Sequence, residues 1–136
     1  MAVTDLVQRW ADAWSTDVDA LLALFLDDCV YEDVTMGVVN HGKGELRTFA
    51  AGLRTASPDF RVEINAMFGE GENAAAAWTM SGTQKGDRPE MPASGKSFTV
   101  RGATLFRVSG DRLAEVHDYW DSATVLRQLG FLPTPG

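Results

Sequence analysis

At 136 residues the chain has the length of one ordinary domain, read here as spanning 1–136, and 45% hydrophobic with 23% charged residues is the composition of a globular protein with one sizeable core. A net charge of −7 disfavours phosphate backbones and anionic lipid, so neither nucleic acid nor a membrane is an expected partner, and no run approaches the ~18–20 apolar residues of a membrane span. The opening Met1-Ala2-Val3-Thr4-Asp5 lacks the basic and apolar segments of a secretory signal, which points to the cytoplasm, while a lone Cys29 excludes an internal disulfide and a cysteine zinc site.

Val3, Leu6, Val7, Trp10, Ala13 and Trp14 recur at helical spacing, with Thr4 available to cap the start. Residues 17–25 read as a second, short helix, with Leu21, Leu22 and Phe25 on one side and Asp27-Asp28 ending it. Residues 29–34 read as a short strand in which Cys29 is a buried small hydrophobe. A loop containing Gly37, Asn40 and Gly42 follows, then a third helix marked by Leu46, Phe49, Ala50 and Leu53 that stops near Ser57-Pro58. From there the period is two. Phe60, Val62, Ile64 and Ala66 alternate with Arg61, Glu63 and Asn65. Glu70-Gly71-Glu72-Asn73 is a turn, residues 74–83 a strand, and residues 86–95 a polar loop with proline. Phe98, Val100, Gly102, Thr104, Phe106 and Val108 form one face of a long strand, and Gly110-Asp111 turns it into the last strand, 113–120. Val125, Leu126 and Leu129 mark a closing helix with Gly130 as its stop. Helices gathered before a run of strands predict an α+β fold with a curved antiparallel sheet around one pocket.

Trp14 followed by Asp17-Val18-Asp19, the run Leu24-Phe25-Leu26-Asp27-Asp28, Tyr31-Glu32-Asp33, His41-Gly42, Ala77-Trp78, Gly82-Thr83, Ser94-Gly95-Lys96, Tyr119-Trp120-Asp121 and Gln128-Leu129-Gly130 occur in this order. In that order and spacing, over residues 6–132, the chain resembles the nuclear transport factor 2-like superfamily and within it the SnoaL-like polyketide cyclases. The resemblance implies a cone-shaped half-barrel whose N-terminal helices close a deep pocket, with frequent sheet-to-sheet dimers. Ketosteroid isomerases and limonene epoxide hydrolases share that fold, so the fold alone does not give the reaction.

Asp121 is the first candidate for chemistry. A carboxylate at the rim of an apolar pocket gains proton affinity, which suits it to remove a proton beside a carbonyl. The resemblance implies the same, because SnoaL-like cyclases place an acid–base aspartate in this Tyr-x-Asp context. Capping the closing helix is its other reading. His117 and Tyr119 share its strand phase and would complete a base, a donor and a second proton carrier. The opposite phase, with Val116 and Trp120 toward the core, is the alternative.

Asp33 is the second candidate, because Val7-Gln8-Arg9-Trp10 with Tyr31-Glu32-Asp33 resembles the ketosteroid isomerases, where an aspartate at this position shuttles the proton. Their oxyanion donors fall where this chain has Trp10 and Thr104, which are weaker donors. Gln84 stands where many cyclases carry histidine. Trp10, Trp14, Tyr31, Phe49, Trp78, Met80 and Phe106 are the expected apolar lining, with His41 at the mouth. Only two histidines occur, unpaired, so neither a metal nor a cofactor is expected. The expected activity is proton transfer on a carbonyl-bearing hydrophobic small molecule, with aldol-type ring closure as the reference. The alternatives are an isomerase or epoxide hydrolase using Asp33, and a non-catalytic ligand-binding or dimerisation module. Ala75, Ala77, Ala103 and Leu105 on the second sheet face suggest a homodimer.

Overall fold

The computed structural model describes residues 2–86 and 92–133. Half of the polar loop expected at 86–95, residues 87–91, lies outside them. Four helices and six strands run in the order α1 (Val3–Trp14), α2 (Val18–Leu22), β1 (Phe25–Asp33), β2 (Val38–His41), α3 (Gly42–Ala56), β3 (Arg61–Glu70), β4 (Asn73–Thr83), β5 (Ser97–Ser109), β6 (Arg112–Trp120) and α4 (Ser122–Leu129) among the described residues. No helix among them is long and apolar enough to cross a membrane.

The strands form one sheet in the order β2-β1-β6-β5-β4-β3. The last four are an antiparallel meander, the arrangement that short turns allow. Gly71 and Gly110 take φ of +60° and +64° at two of those turns, a region costly for other residues. β1 lies parallel to β6, so the sheet is mixed and not wholly antiparallel. Parallel neighbours need a long crossover, and here it comprises β2, α3 and three meander strands. The two edges, β2 and β3, do not pair, so the curved sheet stays open.

α1 turns Leu6, Val7, Trp10, Ala11, Ala13 and Trp14 inward and packs across β3 and β4. α3 crosses β1, and α4 lies on β5. Asp17 caps α2 by accepting from the Asp19 amide at 2.9 Å. Phe25 and Asp27-Asp28, read from sequence as the end of that helix, belong to β1. β2 falls in the expected loop; four residues on a sheet edge carry too short an alternation to register as a strand.

Irregular register at three points bends the sheet and resets which side chains face inward. Between Ile64 and Ala66 the pairing with β4 slips, so Ala66 is exposed and Met67 takes the inward place. Between Arg107 and Val108 the pairing with β6 skips Ala114, so Leu113 and Ala114 are both buried and the phase beyond them is reset.

Candidate active site

The slip at Ala114 decides what β6 presents to the concave side. Val116 and Asp118 are buried with Trp120 packed on the core, while His117 is half-buried and Tyr119 is 43% exposed on the convex side. On β1 Phe25, Cys29, Tyr31 and Asp33 are buried, and Glu32 points outward. The parallel register sets Tyr31 beside Val116 and Asp33 beside Asp118, which brings two carboxyl groups to adjacent positions under the helices.

Asp118 is held on both oxygens. Tyr31 donates its hydroxyl proton to Oδ2 at 2.7 Å, and Thr104 donates to Oδ1 at 2.7 Å. Each hydroxyl in turn accepts an indole N–H: Trp14 Nε1 to Tyr31 at 3.2 Å and Trp78 Nε1 to Thr104 at 2.7 Å. Chains of this kind polarise one another in a low-dielectric interior. Gly102 makes the Trp78 arm possible, since a Cβ there would stand 2.5 Å from Trp78 Cη2 and 2.7 Å from the Tyr119 carbonyl oxygen. Trp10 lines the same chamber, and its buried Nε1–H closes no hydrogen bond. Asp33 is held separately. Trp120 Nε1 reaches its two oxygens at 3.1 and 3.0 Å, and the Met36 amide donates to Oδ1 at 2.9 Å.

Burial dominates the acidity of this group of residues. It pushes the Asp118 carboxyl from 3.8 up to about 7, against the two hydroxyl bonds, which favour the anion; the neighbouring Asp33 charge raises it further. Burial also raises Asp33, opposed by the Met36 amide and the Trp120 indole. Tyr31 is pushed well above its ordinary value by burial and then by the Asp118 charge, so it stays a neutral donor.

The two carboxyl groups face an inner chamber of about 40 Å³ walled by Trp10, Trp14, Tyr31, Trp78 and Trp120. It adjoins an outer apolar chamber of about 170 Å³ reaching Met36, Phe98, Val125 and Leu129, with Phe49, Leu53, Phe60, Met80 and Trp120 lining both. Larger clefts, of about 520 and 590 Å³, are open surface grooves away from both carboxyl groups.

Of the residues singled out from sequence, Trp10, Trp14, Tyr31, Asp33, Phe49, Trp78 and Met80 come together around the chambers. Thr104 is fully buried behind them as a ligand of Asp118 rather than a wall residue. Asp121 does not face the pocket. It is exposed on a surface groove with Arg101 and Thr124, caps α4 through the Thr124 amide at 3.1 Å and hydroxyl at 2.6 Å, and is held below its ordinary pKa chiefly by those bonds. His117 and Tyr119 lie on the convex face for the same reason of phase, His117 being tied to Glu32 at 2.8 Å. His41 is exposed at the start of α3, where its own amide donates to Glu45 at 2.9 Å. Asp118 was missed altogether, and Trp120 entered only in the alternative phase, which is the one the structure shows. The signal was available: Asp118 lies two residues from each of Val116 and Trp120, a carboxyl group in phase with apolar neighbours. Among the described residues no group of three or more His, Cys, Asp or Glu is placed to hold a metal ion.

The model of the SnoaL-like polyketide cyclase family matches residues 4–129. A protein of ketosteroid isomerase-like fold from Catenulispora acidiphila, solved in complex with trimethylamine, is 28% identical, with a TM-score of 0.84 over 96% of this chain and 98% of that one. TsrD from Streptomyces laurentii is 25% identical, with a TM-score of 0.83 over 96% of each chain. A candidate polyketide cyclase from Pseudomonas putida is 24% identical, with a TM-score of 0.83 over 94% of this chain and 98% of that one. Among curated proteins none matches the chain.

Proposed function

The chain belongs to the SnoaL-like polyketide cyclase family, and from that premise we propose that its cavity carries out cofactor-independent proton transfer on a carbonyl-bearing, hydrophobic small molecule, with aldol-type ring closure as the reference reaction. The observation that carries the reading is Asp118: a carboxyl group buried in an apolar chamber, bound on both oxygens, with a pKa of about 7. A group so poised is half ionised near neutrality, the condition under which one residue serves as base and then as acid. The role considered for Asp121 passes to Asp118.

The ionised Asp118 removes a proton from the carbon beside the substrate carbonyl. Once protonated, it no longer draws the Tyr31 hydroxyl as strongly. That hydroxyl lines the chamber and turns its proton toward the enolate oxygen, supported by the Trp14 N–H on its own oxygen. The enolate carbon attacks a second carbonyl of the same molecule, a carbon–carbon bond forms, and the alkoxide takes the proton back from Asp118. Atoms and charge balance, and Asp118 returns to its starting state. The outer chamber receives the apolar body of the substrate, while Asp33 keeps Asp118 basic.

The test is exchange of α-hydrogen for deuterium in a panel of 1,3-dicarbonyl compounds, followed by NMR. Wild-type protein accelerates exchange, and Asp118→Asn lowers the rate by about two to four orders of magnitude, the usual worth of a general base. Undiminished exchange in Asp118→Asn refutes the assignment. Asp33 lines the same chamber with its own pKa raised, so loss confined to Asp33→Asn would instead favour the isomerase-like or epoxide hydrolase-like reading.

A further inference from the structure

The inner chamber is lined by two carboxyl groups and by no basic side chain. Asp33 from β1 and Asp118 from β6 are register partners and both line it, and no lysine, arginine or histidine is among its lining residues. Tyr31 brings no countercharge, and His117, the nearest cation-forming group on β6, lies on the convex side tied to Glu32. The remaining wall is dominated by rings: Trp10, Trp14, Phe49, Phe60, Trp78 and Trp120.

Aromatic faces carry partial negative charge and attract a cation near the ring centre, the more strongly when water is excluded. Two carboxyl groups beneath such rings select for positive charge. A hard metal ion demands several oxygen ligands, and among the described residues no group of three or more His, Cys, Asp or Glu is placed to supply them. An alkylated ammonium demands none, being weakly hydrated and matched to ring faces. The inner chamber, about 40 Å³, shares five lining residues with the outer one, so a head group at the carboxyl groups is continuous with the outer space. The adjoining 170 Å³ chamber is apolar and suits a carbon substituent.

We propose that the cavity takes ligands bearing an alkylated ammonium head, seated between Asp33 and Asp118 inside the aromatic chamber, with an apolar substituent in the outer chamber. The inference rests on this cavity being the substrate site and adds the charge that the substrate carries.

The probes are choline and its uncharged carbon isostere, 3,3-dimethyl-1-butanol, which differ in charge at nearly constant shape. Calorimetry at pH 8 is expected to show choline binding at least about tenfold tighter than the isostere, with Asp33→Asn and Asp118→Asn each removing most of that preference. Choline keeps its charge at every pH, so its affinity should fall by up to about tenfold from pH 8 to pH 6 as Asp118 takes up its proton, with no such fall for the isostere. Equal affinity for the two probes, or no choline binding up to about 50 mM, overturns the proposal. Asp33→Asn supplies the variant should Asp118→Asn fail to fold. If Asp118 supports exchange and choline does not bind, only this inference fails. If choline binds selectively while Asp118→Asn exchanges at the wild-type rate, the proton-transfer reading fails and the ammonium site stands.

Discussion

Replacing Asp118 with asparagine should change how stability depends on pH, and the structure sets the size of the change. In the folded protein this carboxyl group holds its proton up to about pH 7, against 3.8 for an ordinary aspartate. Between those values the native state keeps a proton that the unfolded chain has released. The stability this supplies is complete below pH 3.8 and is lost as pH rises through 7. At roughly 1.4 kcal/mol per pH unit the full span is worth about 4 kcal/mol, of which about 2–3 kcal/mol falls between pH 5 and pH 8. Asparagine donates from Nδ2 as the protonated carboxyl does, and it does not titrate. The difference between the two proteins cancels the other ionisable groups to first order. Urea unfolding is readily followed by the fluorescence of Trp10, Trp14, Trp78 and Trp120, of which Trp14 and Trp78 hydrogen-bond within this network and Trp120 to Asp33. Relative to wild type, Asp118→Asn should gain about 2–3 kcal/mol on going from pH 5 to pH 8. Stability curves that stay parallel across that range would refute the burial argument.

Thr104→Val keeps the side-chain shape but removes a donor to Asp118 and leaves the Trp78 N–H without an acceptor, at a cost of about 1–3 kcal/mol in urea unfolding. Because the lost bond favoured the anion, the Asp118 pKa rises further and the midpoint of the exchange rate's pH profile should move upward. Asp121→Ala removes the cap of α4 and should lower the melting temperature, while its exchange rate stays at the wild-type value because the side chain lies outside the chambers.

What could be read from the sequence follows from how far each signal is local. α1 and α4 were legible because their apolar residues repeat over two or more turns and Gly130 marks a stop, with a φ of +87° in the structure. β5 was legible because thirteen residues alternate without a break. The parallel β1–β6 pairing was not, since nothing in either strand records which distant segment lies beside it. Nor were the slips at Asn65 and Ala114, where one unpaired residue inverts the faces of the residues that follow. At β3 the inversion moved Met67 inward at little consequence for the site. On β6 the same kind of error exchanged Asp118 for Asp121 and turned His117 and Tyr119 outward. The aromatic lining survived because Trp10, Trp14, Tyr31, Trp78 and Met80 precede that slip or lie on other elements.

The central claim is that Asp118 carries a proton that it releases near neutral pH inside the chamber. Carbon-13 NMR titration of the aspartate carboxyl groups, with Asp118 assigned by its loss in Asp118→Asn, measures this without a substrate. The midpoint for Asp118 is expected at about 7, accompanied by a shift at Asp33 as the neighbouring charge appears. A midpoint near the ordinary 3.8 would contradict it.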